Sequence, residues 1–497
     1  MATGPVRSVV PIHNVLLEER TPTYPGLRGT LLSNIAWHTA FLRDCGSQPD
    51  ALDSSFPVPR LNIFLSHSWS ASGLWKQVAL IMSFYLPFAF KWMVWSTFPL
   101  AGFVSWVVDS VNLSEVLLVS LGFGAFLSEL FVSRLFKHKH TTVFLDKCCI
   151  SQVDPVERMR GISRLSEYLR ISDKFVILWS PDYFKRLWCV YELACFLQTH
   201  DERDVIVIHP GHVMFCTWMA LLAFFSLVIS RVSEIYFQDP HGSIFYPHVL
   251  LWMSTCVFVG RYIPSCVGEA ENFYRKLRTF RTMNAKCSNS EDEVHLEGLI
   301  REAYGSLEYF EAVVRGIWLG AEESSQAPYW LFSRTTLKIL CVVYIPHIVG
   351  GLTLTIAHVI HGSWQAYIDI VPSGHEAEPP LTILWVIVKI CLPDVVQRIL
   401  LGFQAPFLLL LGYHLGLRCT RFPWCCRGLV VSSCCLVYSY ANLALSDVLV
   451  HKFWDLEDAL IDRVYSVIIY GSGVVLALFV MSSLRRSYSY DLAEFLQ

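Results

Sequence analysis

Four polar side chains stand where short apolar runs end: Ser66 and His67 after 61–65, Asp146 after 141–145, and Ser180 after 175–179. A hydroxyl, an imidazole and a carboxylate gathered at strand ends are the groups that bind small polar ligands. A second set lies inside the apolar run 381–417, where Lys389, Asp394 and Arg398 interrupt the hydrophobic residues. Charges at membrane depth are costly, so they mark either an ion or substrate path or an anchoring pair. Asp394 and Arg398 are four residues apart and would face each other on a helix, and Lys389 could snorkel. Cys189 and Cys195 have no histidine within a helical turn and read as packing thiols. His138 and His140, between Lys137 and Lys139, read as a basic membrane-proximal face before a metal site. Cys419, Cys425 and Cys426 lie beside arginines and are candidates for palmitoylation. The chain contains no GxxxxGK[ST], GxGxxG, HExxH or GxSxG, so kinase, P-loop NTPase, zincin and serine hydrolase chemistry lack support.

The elements that must hold the first set are legible from pattern. The runs 61–65, 141–145, 175–179 and 205–208 are almost continuously apolar, as expected of parallel strands covered on both faces. Between the second and third, Met159, Ile162, Leu165 and Leu169 recur at helical spacing; between the third and fourth, Trp188, Leu193, Phe196 and Leu197 do so. The order is strand, long insertion, strand, helix, strand, helix, strand. That is a doubly wound α/β pattern. Such sheets bind ligands beyond the carboxyl ends of their strands, where Ser66, His67, Asp146 and Ser180 belong.

The run 180–193, SPDYFKRLWCVYEL, resembles the third-strand and helix motif of Toll/interleukin-1 receptor (TIR) domains, above all the plant type. Ser180, Tyr183, Trp188, Cys189, Glu192 and Leu193 match its spacing without a gap. Phe64-Leu65-Ser66 resembles the first-strand box of that family, and Phe144-Leu145-Asp146 its second strand and the start of the following loop. The resemblance covers about 100 residues. It implies a flavodoxin-like parallel sheet and a signalling or interaction module that self-associates. Some TIR domains also cleave NAD at the nicotinamide–ribose bond. In that case Glu192 is the implied catalytic carboxylate, since a carboxylate can stabilise or trap an oxocarbenium-like centre. Trp188, one turn earlier, and Ser66, His67, Asp146 and Ser180 would line the NAD cleft, with a protonated His67 available to a phosphate. The alternative leaves Trp188 in the core and Glu192 hydrogen-bonded to the first loop. The chain departs from the family in two respects: a membrane hairpin takes the place of the first helix, and no fifth strand is evident.

Composition places this domain in a membrane setting. The 497 residues are 54% hydrophobic and only 16% charged, with mean hydropathy +0.43, against about 25% charge in soluble domains. The formal charge of -3, from 39 Lys+Arg and 42 Asp+Glu, gives no case for nucleic-acid binding. No CxxC or CxxH spacing occurs among 16 cysteines, so neither a zinc site nor a disulfide framework is expected. No apolar leader region opens the chain, and no cleavable signal peptide is expected.

Runs of about 20 apolar residues can cross a bilayer. They occupy 78–108, 113–132, 213–229, 244–263, 335–360, 381–417, 428–445 and 464–481. Arg418, Arg421, Arg427, Arg485 and Arg486 follow spans, whereas the loop 451–463 is acidic. The positive-inside rule then favours eight crossings over nine, with both termini cytosolic. The expected organisation is a cytosolic segment 1–50 and a TIR-like domain 51–212 holding the hairpin 78–132. A second hairpin 213–263, a helical cytosolic segment 264–334, an all-α transmembrane bundle 335–483 and a tail 484–497 follow. A transporter or channel built from that bundle is the third functional class.

Overall fold

The computed structural model describes residues 26–38, 41–42, 51–68, 72–108, 111–237, 257–263, 279–287 and 290–319, with short pieces at 338–339, 342, 346, 415 and 428–434. The spans expected at 335–360, 381–417 and 464–481, most of those at 244–263 and 428–445, and Lys389, Asp394 and Arg398 lie outside the described residues.

Each expected apolar run is a strand. Leu61–His67 forms β3, Thr142–Phe144 β4, Ser172–Leu178 β5 and Val205–Ile208 β6. They pair in parallel, with Ile63 opposite Val143, Phe64 opposite Phe175 and Val176 opposite Ile206. Phe64 lies at the centre of the core. Its ring stacks on Phe144 at 4.5 Å and on Phe175 at 5.5 Å, and Phe175 stacks on Phe196 at 5.2 Å.

The sheet differs from the all-parallel expectation. Two further strands, β1 (Arg28–Leu31) and β2 (Phe56–Pro57), extend one edge in the antiparallel sense, giving six strands in the order β2-β1-β4-β3-β5-β6. The segment 1–50 therefore contributes to the domain. Arg28 anchors it through Leu52 O, Ser55 Oγ and Ser55 O at 2.5–3.1 Å. Gly29 permits the close approach, because a Cβ there would lie 2.8 Å from Leu61 Cδ2. Among the described residues no strand follows β6.

The helices are α1 (Leu32–Trp37), α2 (Gly73–Phe84), α3 (Leu86–Val107), α4 (Val111–Phe136), α5 (Asp146–Cys149), α6 (Pro155–Ser163), α7 (Leu165–Arg170), α8 (Leu187–Leu197) and α9 (Pro210–Phe237). Helices α1, α2 and α9 pack together, and α7 packs against α8. The apolar run from residue 78 is bent: α2 ends at Phe84, and α3 leaves at 58° to it. Pro87, at the second position of α3, supplies no N–H, and its ring crowds the carbonyl of Ser83, so the bend falls there, whereas α3 itself continues across Pro99. The sheet thus keeps a first helix, α2, with Ala79 and Leu80 fully buried. The apolar excursion begins only after Tyr85.

Val116–Phe136 and Pro210–Ile229 are long and apolar enough to cross a membrane, and the bent pair α2–α3 makes a third if counted as one span. These helices turn large apolar side chains outward, including Trp95, Phe103, Trp106, Leu127, Phe131 and Phe225. Water is an unfavourable neighbour for so much apolar area.

Beyond α9, Ser290–Tyr304 and Leu307–Leu319 are helical, as expected for 264–334. They cap α8: Leu296 and Ile300 are buried, and Tyr304 donates its hydroxyl to Ala194 O at 2.7 Å.

Candidate functional site

Strand order reverses at β3: the chain crosses to β4 on one side and returns to β5 on the other. In open α/β sheets, ligands bind beyond the carboxyl ends of the two strands flanking such a reversal. Ser66 and His67 are the last residues of β3, inside the strand instead of the loop after it, and Ser180 lies just past β5.

The geometry joins these positions in two hydrogen-bonded groups. In the first, Ser66 Oγ donates to Glu192 Oε2 at 2.5 Å and lies 2.8 Å from the Tyr183 hydroxyl. The alternative reading of Glu192 expects a hydrogen bond to the first loop; the partner is Ser66, inside β3 and one residue before its end. In the second, Asp182 accepts from Ser180 Oγ at 2.6 Å and from Ser68 Oγ at 2.7 Å, tying β3 to the loop after β5. Lys76 of α2 is fully buried and donates to Ser68 O at 2.5 Å. Helix α8 positions Glu192 because Val190, Leu193 and Phe196 seat one of its sides in the core. Asp146 begins α5 and caps the N–H of Lys147 at 2.7 Å; it contributes negative charge near Glu192. Trp188 is half-buried and meets Tyr191 edge-on at 6.3 Å.

Electrostatics sharpen the picture. Burial raises the Glu192 carboxyl from 4.5 to about 8, opposed by the Ser66 hydrogen bond and aided by Asp146. It is therefore a largely neutral acid at physiological pH. Burial lowers His67 to about 3, and Lys76 and Lys147 push it further down, so the imidazole is neutral and offers no charge to a phosphate. Burial also pushes Cys189 and Tyr183 well above their ordinary range. Cys195 rises to about 11 for the same reason, so both thiols are protonated and poor nucleophiles. His138 contacts Thr141 Oγ1 and Phe84 O, each at 3.2 Å. Among the described residues no group of three His, Cys, Asp or Glu side chains is arranged to hold a metal.

Opposed pH dependences follow. A carboxyl raised in the folded state stabilises fully below about 4.5, and its contribution is lost as pH rises towards 8. An imidazole lowered in the folded state stabilises above about 6.5, and its contribution is lost as pH falls towards 3. The two roughly cancel between 4.5 and 6.5, and only the Glu192 contribution changes between 6.5 and 8. Replacing Glu192 by Gln is expected to flatten the decline in thermal midpoint over that upper interval. The check is a melting series in detergent; equal slopes in both proteins would contradict the raised carboxyl.

Two members of this site, Asp182 and Lys76, escaped the sequence reading. Asp182 lies within the 180–193 motif, but nothing in its spacing showed that it bridges two serines. Nothing in the spacing of Lys76 marks it as buried. No protein-family model matches the chain, and neither curated proteins nor solved structures yield a match.

Proposed function

We propose that the chain is a multi-pass membrane protein whose α/β domain is a signalling or interaction module of TIR-like type, working by self-association. The observation carrying this reading is the covalent route between sheet and apolar helices. β3 leads through α2 into α3, α4 returns into β4, and β6 runs almost directly into α9. Helix α9 packs on both α2 and α4, so a tilt of the apolar helices would be passed to three strands. The polar groups at the strand ends are engaged with one another, which suits a rigid transmitting body. The strand order β4-β3-β5-β6 and the spacing of Tyr183, Trp188 and Glu192 support the TIR-like part.

The topology also orients the domain. Helix α2 starts at the carboxyl end of β3 and carries the chain back, over about 18 Å, to the amino edge of the sheet. There α3 departs and α4 rejoins. The amino edge faces the bilayer, and the Ser66–Glu192 edge faces away, open to partners. The test is the size of the full-length protein in lipid nanodiscs by mass photometry or amine cross-linking. Dimers or larger assemblies are expected, and a monomer at every concentration would refute the module.

One observation favours a second reading. Glu192 is a partly exposed carboxyl at the strand-order reversal, and its ionised form, the minority below about pH 8, would stabilise the oxocarbenium-like centre left when the nicotinamide–ribose bond of NAD breaks. Under that reading the purified protein releases nicotinamide from NAD and Glu192→Gln does not. Absence of release from the folded wild-type protein excludes it.

A further inference from the structure

Helix α4 ends in an unusual arrangement of charge. The segment 134–140, RLFKHKH, holds three permanent cations and no acidic residue. Among the described residues, none of Arg134, Lys137 and Lys139 forms an ion pair with a carboxylate. Each lies against an aromatic ring instead. Arg134 Cζ is 5.1 Å from the Phe131 ring centre and 5.9 Å from that of Trp37. Lys137 Nζ is 4.7 Å from Phe88, and Lys139 Nζ is 5.5 Å from Phe136. These are cation–π distances. Three separate elements, α1, α3 and α4, contribute the rings, so the cations are held in a collar and do not trail from one flexible end. Lys137 and Lys139 are exposed, and Arg134 is half-buried.

The collar lies at the amino edge of the sheet, where α3 departs beside Tyr85 and α4 returns. Basic and aromatic side chains together at the end of an apolar helix fit the headgroup layer, the aromatic rings at its depth and the cations towards phosphate. We infer that Arg134, Lys137 and Lys139 form a binding site for the headgroups of anionic phospholipids, clamping the amino edge of the sheet to an acidic leaflet. Among the described residues no carboxylate neutralises these cations, and their aromatic partners leave the charge in place. This inference rests on the membrane reading above.

The experiment uses the full-length protein in liposomes that float on a density gradient, with spin-labelled phosphatidylserine or phosphatidylcholine as probe. A basic side chain near an anionic surface strengthens attraction about fivefold. The wild type is expected to restrict the motion of phosphatidylserine severalfold more readily than that of phosphatidylcholine. The triple variant Arg134→Gln, Lys137→Gln, Lys139→Gln is expected to bring that ratio close to one, and the charge-conserving Arg134→Lys, Lys137→Arg, Lys139→Arg to keep it. An unchanged preference in floating, folded triple-Gln protein would overturn the lipid site while leaving the membrane reading standing. Failure of the wild type to float would overturn both. Water-soluble glycerophosphoserine is expected not to compete; competition equal to that of the bilayer lipid would assign the cations to a free phosphate and overturn the lipid site.

Discussion

Replacing Phe64 by alanine is expected to destabilise the α/β domain by about 3–5 kcal/mol. Phe64 is fully buried at the middle of β3, between the rings of Phe144 and Phe175. Those rings belong to β4 and β5, which lie on opposite sides of β3 and are separated in sequence by a loop and three helices. Removing the ring leaves a cavity that neither neighbour can fill without leaving its own contacts, Tyr168 for Phe144 and Phe196 for Phe175. Hydrogen exchange of the full-length protein in detergent is the check. Protection should fall together in β3, β4 and β5. A loss confined to β3, or smaller than about 1 kcal/mol, would mean that the three strands do not share one core.

Replacing Ser66 by alanine carries the second large effect. The Ser66 hydroxyl serves both Glu192 and Tyr183. Its removal leaves the buried Tyr183 hydroxyl short of a partner, at about 1–3 kcal/mol, and the half-buried Glu192 carboxyl at less. The same hydrogen bond holds the Glu192 carboxyl down, so the variant should titrate at still higher pH than about 8. Infrared difference spectra that follow the protonated carboxyl stretch through a pH series read this directly. A downward movement in Ser66→Ala would contradict the assigned bond. Tyr183→Phe removes one hydroxyl and leaves the Ser66–Glu192 bond in place, so its effect should be smaller.

Much of this arrangement was legible in the sequence, for physical reasons that also explain the gaps. Residues 61–65 and 175–179 are apolar because both faces of a central strand are covered, and 205–208 keeps the same pattern at the edge of the sheet, so continuity alone marks them. Their pairing across the apolar excursion followed from order. The ends of β3 and β5, and therefore Ser66 and Ser180, came with them. β1 escaped because Arg28-Gly29-Thr30-Leu31 is short and mixed, and its place is set by Arg28 reaching Ser55 and by the missing Gly29 side chain. The boundary of the excursion escaped because apolar residues continue across Pro87. Hydropathy cannot distinguish a helix packed on a sheet from one facing lipid, and only the bend separates them. The Asp182 bridge and the buried Lys76 were invisible because a satisfied charge in a core has the same letter as a solvated one.

The central claim is that a chain leaving β3, passing through α2, α3 and α4 and returning as β4 rebuilds one continuous sheet. Asn62 and Thr142 test it most directly, since Asn62 is exposed, Thr142 is half-buried and their side chains touch, Oδ1 to Oγ1, at 3.2 Å. Cysteines at these two positions, with a protease site inserted at 109–112, should be joined by mild oxidation in the full-length protein. On a denaturing gel after cleavage, the two fragments should stay together until reductant is added, and proteins carrying only one of the two new cysteines should run as separate fragments. Fragments of the double-cysteine protein that part without reductant under those conditions would show that β3 and β4 are not neighbours, and that the sheet is not continuous across the apolar excursion.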